Sequence, residues 1–193
     1  VSTSCAAVTE TLELTRHAVG LGVHGCLVLP PFFFKGISDE GILNGYTQII
    51  EGVNRKDWRL YLYHIPQVIG VNLSQAVIAE LLQRYPGIIA GIKDSSCDRA
   101  HSVALAHAFM PPLTVYVGFE PDLPTMGALG STGAISGLAN FIPRIVHRMV
   151  LESSAPGTVH DAQRVQNMLD LLKPHSLMPA LKSVMATLHN DTG

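Results

Sequence analysis

Apolar positions recur along this chain with two alternating rhythms. From Glu10 to Leu21 the spacing is helical, with Leu12, Leu14, Ala18 and Val19 available for one face and Gly22 as a stop. His24 to Leu29 is a short apolar run closed by Pro30-Pro31, as a buried strand would be. Ser38 then offers an N-cap for a helix reaching about Asn54, with Asp39 and Glu40 well placed in its first turn. Arg59–Ile65 predicts a strand, Ser74 caps a helix over Gln75–Arg84, and Tyr85-Pro86-Gly87 turns the chain into a strand over Ile88–Lys93. A helix over Asp98–Phe109 and a strand over Thr114–Val117 continue the rhythm. A short helix over Leu123–Leu129, a strand over Gly133–Ser136 and a helix begun by Pro143 complete it. Beyond Pro156-Gly157 the pattern is wholly helical, with Thr158 expected to cap Val159–Leu172 and Met178–Leu188 following.

Strands alternating with helices of this kind make a parallel sheet with helical crossovers, an α/β fold. Five strands are too few to close an eight-stranded barrel and suit an open doubly wound sheet. Three further β-α units upstream would close the barrel, and composition does not decide between the two.

The chain has 193 residues, 47% of them hydrophobic and 15% charged, enough to bury a sizeable core. A net charge of −2 with no Lys/Arg cluster argues against a nucleic-acid surface. No apolar run approaches the roughly 18 residues of a membrane helix, and the start lacks the basic and apolar regions of a secretory signal. Cys5, Cys26 and Cys97 are far apart with no CxxC pair, which points to a reducing cytoplasm. The nine histidines have no HExxH spacing, and His101 and His107, six apart, do not share a helix face, so no metal site is expected. No GxGxxG or GxxxxGK loop marks a nucleotide site.

The chemistry lies at two strand ends. Gly91-Ile92-Lys93-Asp94-Ser95-Ser96 places a lysine at the inner end of an apolar strand, where desolvation disfavours the ammonium. A neutral lysine is a nucleophile that forms a Schiff base with a carbonyl compound. The strand before it ends in Tyr63-His64-Ile65-Pro66, and a phenol at a neighbouring strand end can supply the acid that expels water. Alternation turns His64 to the opposite face from Tyr63, toward packing. Asp94 and Ser95 read either as groups behind the lysine or as caps of the next helix.

These two motifs, with Gly133-Ala134-Ile135-Ser136-Gly137-Leu138-Ala139-Asn140-Phe141-Ile142-Pro143, resemble the dihydrodipicolinate synthase / N-acetylneuraminate lyase family of class I pyruvate-type aldolases. The resemblance runs from the helix near Glu10 to Leu181-Lys182. It implies a (β/α)8 TIM barrel, incomplete here with strands 4–8 present, over residues 1–152, and a C-terminal helical extension over 153–193. The chain begins with Val, and the resemblance sets its start at the end of the third barrel strand. A truncated sequence is therefore expected, without the threonine-bearing loop after strand two. The resemblance implies Lys93 as the Schiff-base lysine and Tyr63 as the proton-transferring tyrosine. Gly118 and Ile135 match positions where backbone approaches substrate, whereas Gly133 and Gly137 serve turns and packing. It also implies a 2-oxo acid and an aldehyde as substrates, no metal or organic cofactor, and a homo-oligomer for the full-length protein.

Two departures bear on substrate. Synthases of the family carry an arginine two residues after Tyr-x-x-Pro for a second carboxylate, where this chain has Gln67-Val68-Ile69-Gly70. They place a proton-relaying tyrosine where this chain has Pro31-Phe32-Phe33-Phe34-Lys35, and phenylalanine relays no proton. The phenylalanines read as a less polar acceptor wall or as interface or core residues, and Lys35 as an exposed loop lysine. The expectation is a lyase that holds pyruvate or a related 2-oxo acid on Lys93, with 4-hydroxy-tetrahydrodipicolinate synthase and a non-catalytic barrel homologue as alternatives.

Overall fold

A computed structural model describes residues 1–131 and 133–190. The chain divides into two compact units, Val1–Val115 and a second from Tyr116 onward.

In the first unit helix α1 spans Val8–Gly20, strand β1 Cys26–Val28, helix α2 Asp39–Val53 and strand β2 Leu60–His64. A single-turn helix α3 (Pro66–Ile69) and helix α4 (Gln75–Arg84) lead to strand β3 (Ile89–Asp94) and helix α5 (Arg99–Phe109). Strand β4 (Thr114–Val117) follows, and the first unit ends inside it. The sheet order is β1-β2-β3-β4, with β1, β2 and β3 mutually parallel. Sequence-adjacent parallel strands need crossovers, and α2 and α4 supply them. Their starts are set by local chemistry: Ser38 Oγ accepts from Gly41 N–H and Ser74 Oγ from Val77 N–H, as expected of N-caps. The core holds Leu60, Leu62, Ile92, Tyr46, Ile49, Ile78 and Leu81, all nearly fully buried.

Several elements depart from the sequence pattern. Helix α1 buries Thr11 and Thr15 with Ala18 and Val19, while Leu14 is exposed. The threonines are accepted inside because Thr15 Oγ1 donates to the Thr11 carbonyl and lies 2.8 Å from Thr3 Oγ1. Residues Val1–Thr3 run beside β1, with Leu27 N–H donating to the Val1 carbonyl and a parallel bridge at Ser2. The expected helix after β3 starts at Arg99 with Asp98 as its cap, accepting from His101 N–H, so neither Asp94 nor Ser95 caps it.

The second unit contains helix α6 (Leu123–Ala128), helix α7 (Pro143–Leu151), helix α8 (Pro156–Leu172) and helix α9 (Leu177–His189). Among the described residues the strand expected over Gly133–Ser136 is reduced to one parallel bridge, Val117 with Ala134. Helix α8 begins at Pro156, not after Thr158, because proline is preorganised for a first helical position. Thr158 is buried instead, its hydroxyl donating to the Glu152 carbonyl. The expected extension ends in residues 191–193, which lie outside the described residues. No helix among those described is long and apolar enough to cross a membrane.

Candidate active site

Strands β2 and β3 pair in parallel with Tyr63 opposite Lys93 and His64 opposite Asp94. The last two rungs of the ladder therefore carry all four polar groups at the C-terminal ends. Burial alternates strictly along β2, with Leu60, Leu62 and His64 buried and Tyr61 and Tyr63 half-buried. Tyr63 and Lys93 share one face, and His64 and Asp94 share the other.

On the first face the Lys93 ammonium nitrogen donates to the Tyr63 hydroxyl at 3.0 Å and stands 4.3 Å from the centre of its ring. Both side chains are half-buried. An amine and a phenol at hydrogen-bond distance are placed to exchange a proton directly. The approach depends on Gly91, two positions before Lys93, where the Tyr61 ring occupies the space of a side chain.

On the opposite face Asp94 is the centre of a hydrogen-bonded cluster. Its Oδ1 accepts from His64 Nδ1 at 2.9 Å and from Ser96 N–H at 3.1 Å. Its Oδ2 accepts from the hydroxyls of Ser102 and Ser96 and from His101 Nδ1, at 2.6, 3.2 and 3.1 Å. Asn72 Oδ1 meets the other ring nitrogen of His64 at 2.8 Å, and the two imidazoles stack with centroids 4.5 Å apart. Burial alone pushes the Asp94 carboxyl up, but the bonds from His64, Ser102, His101 and Ser96 outweigh it and hold it well below the usual carboxylate range.

His64, Asp94 and His101 are the donor types a metal ion takes, and their ligand atoms lie within 4.8 Å of one another. Both imidazole Nδ1 atoms already sit at hydrogen-bond distance from the carboxylate, so as it stands the group is a hydrogen-bonded triad. Sequence spacing does not reveal it, because its members come from β2, β3 and α5. Pairing Tyr63 with Lys93 would have implied the His64–Asp94 contact.

The departures in sequence also have places. Gln67 donates to the Ser95 carbonyl at 2.6 Å, tying α3 to the segment after β3, and Val68, two residues after Pro66, is exposed. Phe33 and Phe34 pack edge to face with each other and are exposed, so neither is a core residue. Lys35 donates to the carbonyls of Phe32 and Ile69. In the second unit, Gly118 follows β4, and Ile135 N–H donates to the Val117 carbonyl, with the Ile135 side chain 36% exposed. Buried Glu120 accepts from Ser136 Oγ and Leu138 N–H, fixing the loop after the bridge. A Cβ at Gly133 would lie 3.0 Å from the Tyr116 ring and one at Gly137 3.1 Å from Leu181, in keeping with packing roles.

A family model described as the dihydrodipicolinate synthetase family matches residues 1–190. The chain belongs to this family. Among curated dihydrodipicolinate synthetase relatives, an uncharacterized DapA-like lyase of Chloroflexus aurantiacus is 36% identical over 184 residues, covering 95% of this chain and 61% of its own length. A 4-hydroxy-tetrahydrodipicolinate synthase of Thermus thermophilus is 30% identical over 166 residues, covering 84% of this chain and 53% of its own. A putative 2-dehydro-3-deoxy-D-gluconate aldolase of Escherichia coli, YagE, is 32% identical over 139 residues, covering 70% of this chain and 44% of its own. The crystal structure of dihydrodipicolinate synthase from Agrobacterium tumefaciens superposes with a TM-score of 0.88 at 29% identity, covering 99% of this chain and 65% of that one. The fold is thus the α/β fold of the family's barrels, and the chain spans 61% or less of the length of these three curated relatives.

Proposed function

We propose that the protein is a Schiff-base-forming lyase of the class I aldolase type, acting on pyruvate or a related 2-oxo acid. The single observation carrying this reading is the Lys93–Tyr63 contact of 3.0 Å at the ends of adjacent parallel strands. The neutral amine of Lys93 attacks the ketone carbon of the oxo acid and forms a carbinolamine. Tyr63 donates a proton as water leaves, giving the protonated imine. That imine accepts the electron pair released when the neighbouring C–C bond breaks or a proton departs, and an enamine results. Reprotonation and hydrolysis return the lysine. The lysine is its own electron sink, so no metal or organic cofactor enters the scheme.

Gly118 and Ile135 fit this reading as backbone positions beside the substrate, residues 1–152 as part of a barrel, and 153–193 as its helical extension. The complete protein is read as a cytoplasmic homo-oligomer. Gln67-Val68-Ile69-Gly70 offers no guanidinium for a second carboxylate, which counts against 4-hydroxy-tetrahydrodipicolinate synthase. The likeness to YagE, solved in complex with pyruvate, favours aldol cleavage or dehydration of a 2-keto-3-deoxy sugar acid.

The test is to mix the complete gene product with pyruvate, reduce with borohydride and map adducts by peptide mass spectrometry. A pyruvate adduct on the Lys93 peptide, absent in Lys93→Ala, is the expected result. No adduct with pyruvate or other 2-oxo acids overturns the aldolase reading and leaves a non-catalytic barrel homologue.

A further inference from the structure

We infer that His64 and Asp94 are positioning residues that set the contact between Tyr63 and Lys93, a conclusion that rests on reading Lys93 as the imine-forming lysine. The two pairs occupy the same two rungs of the β2–β3 ladder on opposite faces. Whatever fixes His64 against Asp94 therefore fixes Tyr63 against Lys93, since each residue is bonded through the backbone to its neighbour.

The ladder itself gives little help from its other end. Leu60 pairs with Ile89, but Tyr61 pairs with Gly91, so Ala90 is an extra residue and the register is broken there. A bulge of this kind interrupts regular pairing and increases local twist. The alignment of the final rungs must then be held where they lie. A backbone bond from Ser95 N–H to the His64 carbonyl, 2.8 Å, closes the ladder at that point. The buried His64–Asp94 bond adds a side-chain clamp directly behind the reactive pair.

The clamp is itself anchored on three sides. Asn72 holds the far nitrogen of His64 from the segment before α4. His101 and Ser102 hold Asp94 from the first turns of α5, and Ser96 holds it from the intervening loop. His64 is 1% exposed and Asp94 3%, so water cannot substitute for a lost partner without opening the core. Neither group reaches the face on which Tyr63 and Lys93 stand, so their part in the reaction is geometric. A displacement of about 1 Å in an amine–phenol contact is enough to slow a proton transfer strongly.

The experiment measures the rate at which the complete gene product accumulates the borohydride-reduced pyruvate adduct, at saturating pyruvate, with thermal unfolding recorded in parallel. His64→Leu keeps apolar bulk and loses the donor, whereas His64→Asn keeps an amide N–H near the position of Nδ1. The expected result is a loss of roughly tenfold to a hundredfold in His64→Leu and recovery to within about threefold of wild type in His64→Asn. A His64→Leu rate equal to wild type overturns the inference, and so does an equal loss in both variants, which would make ring bulk the only requirement. Should His64→Leu not fold, Ser102→Ala removes one bond to Asp94 and is read in the same way: slower trapping supports the clamp and an unchanged rate overturns it. Absence of any adduct in the wild type is a different outcome, the failure of the aldolase reading itself.

Discussion

The ring of Tyr61 lies across Gly91, so closely that a Cβ there would fall 2.8 Å from its Cδ1 and 2.6 Å from the Thr114 carbonyl oxygen. One obstacle is a packed aromatic ring and the other is backbone, and neither can swing away cheaply. Gly91→Ala should destabilise the protein by about 1–3 kcal/mol, the range for overpacking a tight site. Denaturant unfolding of the variant checks this, and a midpoint equal to wild type would show that the two strands separate freely. Because Gly91 lies on the Lys93 face of β3, adduct formation should slow as well.

Tyr63→Phe separates chemistry from stability. The phenol's hydrogen bond is with the half-buried Lys93 amine, so its removal should cost little in folding. General acid–base groups contribute on the order of 10²–10⁴ in rate, and pyruvate trapping should fall by roughly 10²-fold. Trapping at the wild-type rate would remove Tyr63 from the mechanism.

Asp94 predicts an acid dependence of stability. Its folded-state carboxyl is held below its ordinary value of 3.8, so its contribution is complete above that pH and is lost as pH falls below it. Asp94→Asn should be less stable at pH 7 by roughly 3 kcal/mol, and the gap to wild type should narrow between about pH 4 and pH 2. Urea midpoints across that window measure it. A gap that stays constant would mean the carboxylate gains nothing from its donors.

Ser95 sits beside this cluster, bonded to it through its backbone N–H alone. Its hydroxyl is buried with no hydrogen-bond partner among the described residues. A buried unsatisfied hydroxyl costs about 1–3 kcal/mol, so Ser95→Ala should be neutral or stabilising by about 1 kcal/mol. Clear destabilisation in thermal melts would reveal a partner for the hydroxyl in solution.

Much of this was legible from local chemistry. The caps Ser38 and Ser74, the period of α2 and α4, and the span of β4 follow from residues within a few positions of one another. Lys93 and Tyr63 stood out because charged or polar tips on apolar strands are rare. What stayed hidden depends on distant partners. Thr11 and Thr15 look like surface residues until Thr3 and Cys5 supply their bonds. His64 was legible as facing away from Tyr63, but its partners arrive from β3 and from the segment before α4. Gly133–Ser136 has the composition of a strand yet forms one bridge, since pairing is decided by the neighbour and not by the segment.

Ala90 has no polar atom in its side chain, yet it decides where the lysine points. Counted by strict alternation, Ile89 and Lys93 would face the same way, and the amine would be driven into the apolar layer that holds Ile89, Ile92 and Leu62. The extra residue shifts the phase of the strand by one between them. The Lys93 amine therefore owes its exposure to a step in backbone counting three residues upstream, at a position that a search for reactive side chains would pass over.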